Sequence, residues 1–345
     1  MTTRFFSFAM LAAAMSTLVV GCSSSGPSQS PGQSAATGSE TTVRLGFFPN
    51  LTHAPALVGV APGHFDKDLG PSVQLQTQLF NAGPEIIEAL RAKAVDIAYV
   101  GPSPVVNLYQ KSGGKGIQII SGACSGGASL VARAGAGIVK ITDLGGKRVA
   151  VPQLGNTQDV SLRSFLLKNG LNTDDKGGTV QVLPIKNGDT LIAFKLKQVD
   201  AAWVPEPWAT RLIKETGATR VLDERSLWPD GKFTTTVVVV RPDFLKDHPD
   251  VVASFVKAND NAVDWINKNP AAAIALVNKQ LGALSGKPLP DGVIQESWKR
   301  LTFTSDPDLR SIEAQAAAAQ AAGYLKEVSA PWASLVLPKP NATSL

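Results

Sequence analysis

The sequence predicts an α/β protein of two lobes with a ligand cleft between them. Three observations carry that expectation. Short strands alternate with helical segments from residue 42 onward, the pattern of parallel βαβ units. Part of this pattern returns 104 residues later in the same register. Small and polar residues gather at the carboxyl ends of the strands in both copies, where open α/β sheets take their ligands.

The chain has 345 residues, room for about two domains. Arg4 precedes a largely apolar run over residues 5–20. That run falls short of the roughly 20 residues needed to cross a bilayer, so residues 1–22 read as a signal peptide. It ends in Leu18-Val19-Val20-Gly21-Cys22, which resembles the lipobox of bacterial lipoproteins, with a small residue ahead of a thiol that is lipidated. Residues 23–41 are rich in Ser, Gly, Pro and Gln, as in a flexible tether. Together these features place the mature protein outside the cytoplasmic membrane, anchored to it through Cys22.

The body opens with a short strand at 43–47. Residues 72–79 alternate, with Val73, Leu75 and Leu79 on one face and Gln74, Gln76 and Gln78 on the other. Pro84 starts a helix carrying Ile86, Ile87 and Leu90, and 96–100 is a buried strand running into Gly101-Pro102. Residues 91–100 then line up with 195–204, pairing Val95 with Val199, Asp96 with Asp200, Tyr99 with Trp203 and Val100 with Val204. At the same offset Arg44 falls on Arg148. Lobe one is expected to comprise 42–125 and 232–345, and lobe two 126–231. The strand ends are 49–53, 81–83 and 101–103 in lobe one, and 153–159, 187–189 and 205–208 in lobe two. Residues 234–240 read as a return strand, and helical spacing covers 249–269, 271–281, 292–300 and 308–327. The crossovers at 121–130 and 223–236 form the hinge.

Composition excludes several classes. The chain is 44% hydrophobic and 18% charged, so it buries sizeable cores. Its net charge of +5 is scattered without a run of like charges, which argues against a nucleic-acid partner. With Cys22 lipidated, Cys124 has no partner, and two cysteines and three histidines exclude a disulfide scaffold and the usual zinc spacings. No cofactor or metal is expected. Walker A and GxSxG are absent, and Gly122-Ala123-Cys124-Ser125-Gly126 misplaces the serine for a nucleophile elbow. The expected role is binding without catalysis.

Asn156, Thr157 and Gln158 follow a strand and a Gly-containing turn and open an amphipathic helix. Free backbone N–H groups there suit a small oxyanion, and plain N-capping suits the same residues. Glu206 and Trp208 sit beyond the second-lobe strand as cleft candidates. Glu206 would repel an anion; it fits a ligand ammonium, a pyrimidine amine, or stabilisation of a helix first turn.

Asp143-Leu144-Gly145-Gly146-Lys147-Arg148-Val149-Ala150-Val151-Pro152 resembles a segment of the solute-binding proteins of bacterial ABC importers. With residues 49–55, 95–101 and 202–208 it resembles the group binding aliphatic sulfonates, taurine and nitrate, which also includes binders of thiamine pyrimidine precursors. The resemblance implies a type II periplasmic-binding-protein fold, monomeric, closing on its ligand and delivering it to a permease with an ATPase. It implies ligand contacts at Asn50, His53, Ser103, Asn156, Thr157 and Gln158, with Ser125 near the hinge. The ligand it implies is an organic sulfonate or similar small anion. The alternatives are nitrate or bicarbonate, a pyrimidine-type vitamin precursor, an enzyme on the same fold using a Cys124–His53 pair, or a sensor lipoprotein. Replacing Asn156 and Thr157 by alanine is expected to weaken binding and leave melting of the free protein nearly unchanged.

Overall fold

Residues 40–326 and 328–338 are described by a computed structural model. The signal segment at 1–22 with Cys22, and the tether up to residue 39, lie outside them. The strands are β1 (Thr41–Phe47), β2 (Val73–Leu79), β3 (Ile97–Val100), β4 (Gln118–Gly126), β5 (Ala128–Ala132), β6 (Arg148–Val151), β7 (Gln181–Pro184), β8 (Ala201–Pro205), β9 (Thr219–Asp223), β10 (Thr234–Val240) and β11 (Leu301–Phe303). They form two sheets, β2-β1-β3-β10-β4-β11 and β7-β6-β8-β5-β9. In each, the first three strands are parallel and the fourth runs antiparallel.

That fourth strand explains the two-lobed fold. β10 inserts into the first sheet after the chain has built the second, and β5 belongs to the second sheet although it directly follows β4. The chain therefore crosses between sheets twice, at Gly127 and over 224–233. Gly126 and Gly127 have φ of +77° and +78°, a left-handed pair that lets β4 turn straight into β5. The crossovers run side by side: the Ser125 hydroxyl donates to the Phe233 carbonyl at 3.1 Å and accepts the Phe233 N–H at 3.2 Å.

The 104-residue repeat has a physical basis. Asp96, just before β3, accepts from the Arg44 backbone and guanidinium of β1 at 2.6–2.9 Å. Asp200, just before β8, does the same for Arg148 of β6 at 3.0–3.1 Å. Each carboxylate takes a second arginine, Arg241 for Asp96 and Arg133 for Asp200. The turns leading into these strands match as well, with Lys93 and Lys197 both left-handed at φ 58° and 56°.

The helices are α1 (Ala54–Gly59), α2 (Phe65–Leu69), α3 (Gly83–Arg91), α4 (Pro102–Lys111), α5 (Thr157–Lys168), α6 (Asn187–Lys195), α7 (Trp208–Thr216), α8 (Pro242–Asp247), α9 (Pro249–Lys268), α10 (Pro270–Ser285), α11 (Asp291–Trp298) and α12 (Leu309–Ala321). α9 buries Val252, Phe255, Val256, Val263 and Ile266 on the first sheet, at the helical spacing its sequence shows. α12 ends before Gly323 (φ +81°), a few residues earlier than the periodicity predicts. Leu79 departs from the alternation read in β2. It is 43% exposed, at the last position of an edge strand. No helix among the described residues is long and apolar enough to cross a membrane.

Candidate functional site

The parallel strands of both sheets aim their carboxyl ends at one cavity of about 30 Å³. Asn50, Thr52 and His53 follow β1, Asn81 follows β2 and Gly101 follows β3; Asn156, Thr157 and Gln158 follow β6, Asn187 follows β7, and Pro205 ends β8. Helices α3, α4, α5 and α6 start at this wall, through Gly83, Gly101, Thr157 and Asn187. Pro84, Pro102 and Pro104 carry no N–H and the Asp159 N–H is capped, so the free donors are the few first-turn N–H groups that remain. With the positive dipole ends behind them they give the cavity a field that favours an anion. None of the lining residues carries a formal charge at neutral pH: His53, the one titratable group among them, is held neutral by burial, which lowers its pKa to about 3.

Four side chains around the cavity have their acceptors tied back into the protein. Asn50 Oδ1 accepts Trp208 Nε1–H at 2.9 Å, which leaves the Asn50 amide N–H groups. His53 Nδ1 accepts the Phe48 N–H at 3.3 Å, so the neutral ring carries its proton on Nε2. Asn156 Oδ1 caps α5 by accepting the Asp159 N–H at 2.9 Å, and its Nδ2 donates to Gln158 Oε1 at 3.1 Å. Gln158 therefore keeps its N–H groups. Two buried polar atoms of the wall have no protein partner, Thr157 Oγ1 and Asn187 Oδ1. The wall is thus rich in donors, with one rotatable hydroxyl and one carboxamide oxygen available besides.

The lobes meet around this cavity. The Leu51 N–H donates to the Glu206 carbonyl at 3.1 Å, and a Cβ at Gly101 would lie 2.2 Å from Thr157 Oγ1.

Residues 36–279 match a family described as NMT1-like. The chain belongs to the NMT1-like family. A protein of Brucella abortus (strain 2308), provisionally named a binding protein, is 28% identical over 207 residues, 59% of this chain and 61% of its own length. The match thus spans less than two thirds of that relative. The taurine-binding periplasmic protein of Escherichia coli (strain K12) is 29% identical over 239 residues, 69% of this chain and 71% of its own. Among solved structures, the alkanesulfonate-binding protein SsuA of Xanthomonas axonopodis bound to MOPS superposes with a TM-score of 0.71 at 19% identity. It covers 87% of this chain and 99% of that one. At that identity the likeness speaks for the fold, a two-lobed periplasmic-binding-protein architecture with a cleft between lobes.

In this NMT1-like chain the cavity gathers Asn50, His53, Asn156, Thr157 and Gln158. Four other residues singled out in the sequence stand elsewhere. Ser103 is buried in the first turn of α4 with its hydroxyl unpartnered. Ser125 pairs the crossovers. Trp208 acts on the wall through Asn50, with the Arg211 guanidinium stacked 4.8 Å from its ring. Glu206 is fully buried and its carboxylate is occupied: it accepts from Arg220 at 2.7 Å, from the Thr210 N–H and hydroxyl at 3.0 Å, and from Ser297 at 3.1 Å. Burial pushes its pKa up, while Arg220 pulls it down. The carboxylate is a structural bridge from α7 to α11, away from the cavity wall.

Cys124 lies in the core of the first sheet, 1% exposed, with burial raising its thiol pKa far above the range of a nucleophile. Among the described residues no cluster of His, Cys, Asp and Glu has the makings of a metal site. Thr52, Asn81 and Asn187 of the wall lie in the strand ends read at 49–53, 81–83 and 187–189 without being singled out as contacts, and Thr235 carries no such signal. The offset of 104 carries one of them: it maps Gly83, first residue of α3, onto Asn187, first residue of α6.

Proposed function

We propose that this chain is the solute-binding component of an ABC importer, held outside the cell membrane by a lipid on Cys22. It takes a small sulfonate-type anion, an aliphatic sulfonate or taurine, between its lobes and delivers it as a monomer to a permease and its ATPase. The observation that carries this reading is the donor-rich, charge-free wall where four helix N-termini converge. A sulfonate stays ionised at neutral pH and only accepts hydrogen bonds, which matches Asn50, His53, Asn156 and Gln158, whose own acceptors are already engaged. Asn50, His53, Asn156, Thr157 and Gln158 are its proposed contacts, and lobe closure around it follows from the paired crossovers. The sulfonate class is supported by the names of the Escherichia coli and Xanthomonas relatives.

A second reading, nitrate or bicarbonate, is favoured by the cavity's size. About 30 Å³ holds only two or three waters, and a planar inorganic anion would need the least opening. A thermal-shift screen of the chain lacking residues 1–22 separates the two. Ligand bound to the folded state raises the melting temperature by mass action. A shift with ethanesulfonate or taurine supports the first reading and a shift with nitrate or bicarbonate alone the second. Silence with all four refutes both.

A further inference from the structure

We infer that Tyr324 is a positioning residue, a latch that holds the lobes closed from outside the cavity and thereby sets how long ligand is retained. The inference rests on the binding reading above and names the group that regulates it.

Tyr324 belongs to lobe one. The helix before it, α12, packs Ile312, Ala316 and Ala319 with Val105, Val106 and Tyr109 of α4, and Ser311 and Gln315 bond the backbone of Thr234 at the start of β10. Beyond it, Gln110 takes the backbone of Ser329 and Ala330 at 2.8–3.0 Å, and Tyr109 donates to the Pro331 carbonyl at 2.8 Å. Both sides of Tyr324 are therefore fastened to the first lobe.

Its hydroxyl reaches the other one, donating to Asp159 Oδ2 in the first turn of α5. Asp159 is fully buried and joins the latch to the cavity wall. Its carboxylate accepts the Gly155 N–H at 2.7 Å and Arg163 Nε–H at 2.9 Å, and its own N–H is the one capped by Asn156. The Arg163 guanidinium lies 5.9 Å from the centre of the Tyr324 ring, and Val160 beside it packs into the same apolar cluster as α12. Burial and the neighbouring carboxylate raise the phenol pKa, so the hydroxyl stays a donor. The turn that presents Asn156, Thr157 and Gln158 to the cavity is thus tied to lobe one by a bond that separating α5 from α12 would break.

The test compares Tyr324→Phe with wild type in the full chain carrying Cys22→Ser. Nitroxide labels go on Ala92→Cys in lobe one and Leu196→Cys in lobe two, both exposed, while buried Cys124 resists the reagent. Pulsed electron-spin distances then report the closed and open populations without any ligand. A hydrogen bond to a carboxylate changes such a ratio by about tenfold, and Tyr324→Phe is expected to lower closed-to-open by that factor. Ethanesulfonate added to both proteins is expected to dissociate about tenfold faster from the variant, with its association rate unchanged.

Asp159→Ala and Asp159→Ala with Tyr324→Phe are expected to retain ethanesulfonate equally, because the tyrosine acts through the Asp159 carboxylate. Identical distance distributions for wild type and Tyr324→Phe overturn the latch, as do additive effects in the double variant. Failure of ethanesulfonate to bind wild type counts against the sulfonate reading alone, and the distance measurement still decides the latch.

Discussion

Gly101 and Thr157 face one another across the cleft, and the substitution Gly101→Ala tests whether binding requires their approach. Gly101 has φ −70°, so alanine costs nothing in the backbone. Its Cβ, however, would stand 2.2 Å from Thr157 Oγ1 and 3.2 Å from Thr157 Cβ. Relief needs a retreat of about 1 Å or a turn of χ1, and a β-branched side chain in a helical first turn has few alternatives. Overpacking of this kind costs about 1–3 kcal/mol, a rise in Kd of about 5- to 150-fold. The two residues belong to different lobes, so the penalty falls on the closed state and spares each lobe's own core.

Isothermal titration would use whichever of ethanesulfonate, taurine or nitrate shifts the melting of wild type. Weaker binding with unchanged melting of the free chain is expected, and once Thr157 is alanine, Gly101→Ala should cost no further affinity. Wild-type affinity in Gly101→Ala would refute the reasoning. So would a loss of free-chain stability equal to the loss in binding.

Asn156→Ala removes the cap of α5 as well as a wall residue, so free-chain stability should fall by about 1 kcal/mol in a urea melt. This revises the expectation that alanine at 156 and 157 leaves melting unchanged; an unaltered midpoint would show that the cap contributes little. Asp96→Asn leaves Arg44 and Arg241 short of their shared carboxylate and should cost about 3–5 kcal/mol by the same measurement. Asp200→Asn, less deeply buried, should cost less, and the reverse order would count against the clamp. Trp208→Phe frees Asn50 Oδ1 to face the cavity and should weaken anion binding by about 2- to 10-fold in a titration, whereas unchanged affinity would deny Trp208 its orienting role.

Glu224, fully buried in the second crossover with its carboxyl on Trp203 Nε1, has its pKa raised by burial from 4.5 to about 8. Between those values the folded chain holds a proton the unfolded chain has released. Stability from this group is therefore complete below pH 4.5 and is lost on the way up to pH 8, by about 1.4 kcal/mol per pH unit. His53 acts with the opposite sign, but between about pH 3 and 6.5. Urea midpoints from pH 6.5 to 8 should fall in wild type and stay level in Glu224→Gln; a slope that survives the substitution belongs to another group.

Much of this protein is local and therefore open to sequence reasoning. Parallel strands joined by helices repeat at a fixed spacing, so the pairs Arg44 with Asp96 and Arg148 with Asp200 stand in the sequence itself as a period of 104. The same spacing, with polar turns after each strand, points to the strand ends that line the cavity. The cap at Asn156 is legible because its partner is three residues away.

What only the tertiary structure decided is the direction in which each polar group is used. Glu206 looks available in sequence because Ser297, 91 residues on, and Arg220 are not yet beside it. Asn50 is a donor toward the cavity because Trp208, 158 residues away, takes its oxygen, and Asp159 is a lobe-to-lobe contact because Tyr324 arrives from 165 residues further along. Periodicity and turn chemistry act over a few residues and determine which elements form. A carboxamide or carboxylate is oriented by whichever partner folding brings to it, and that partner is chosen by the packing of two lobes whose strands are exchanged along the chain.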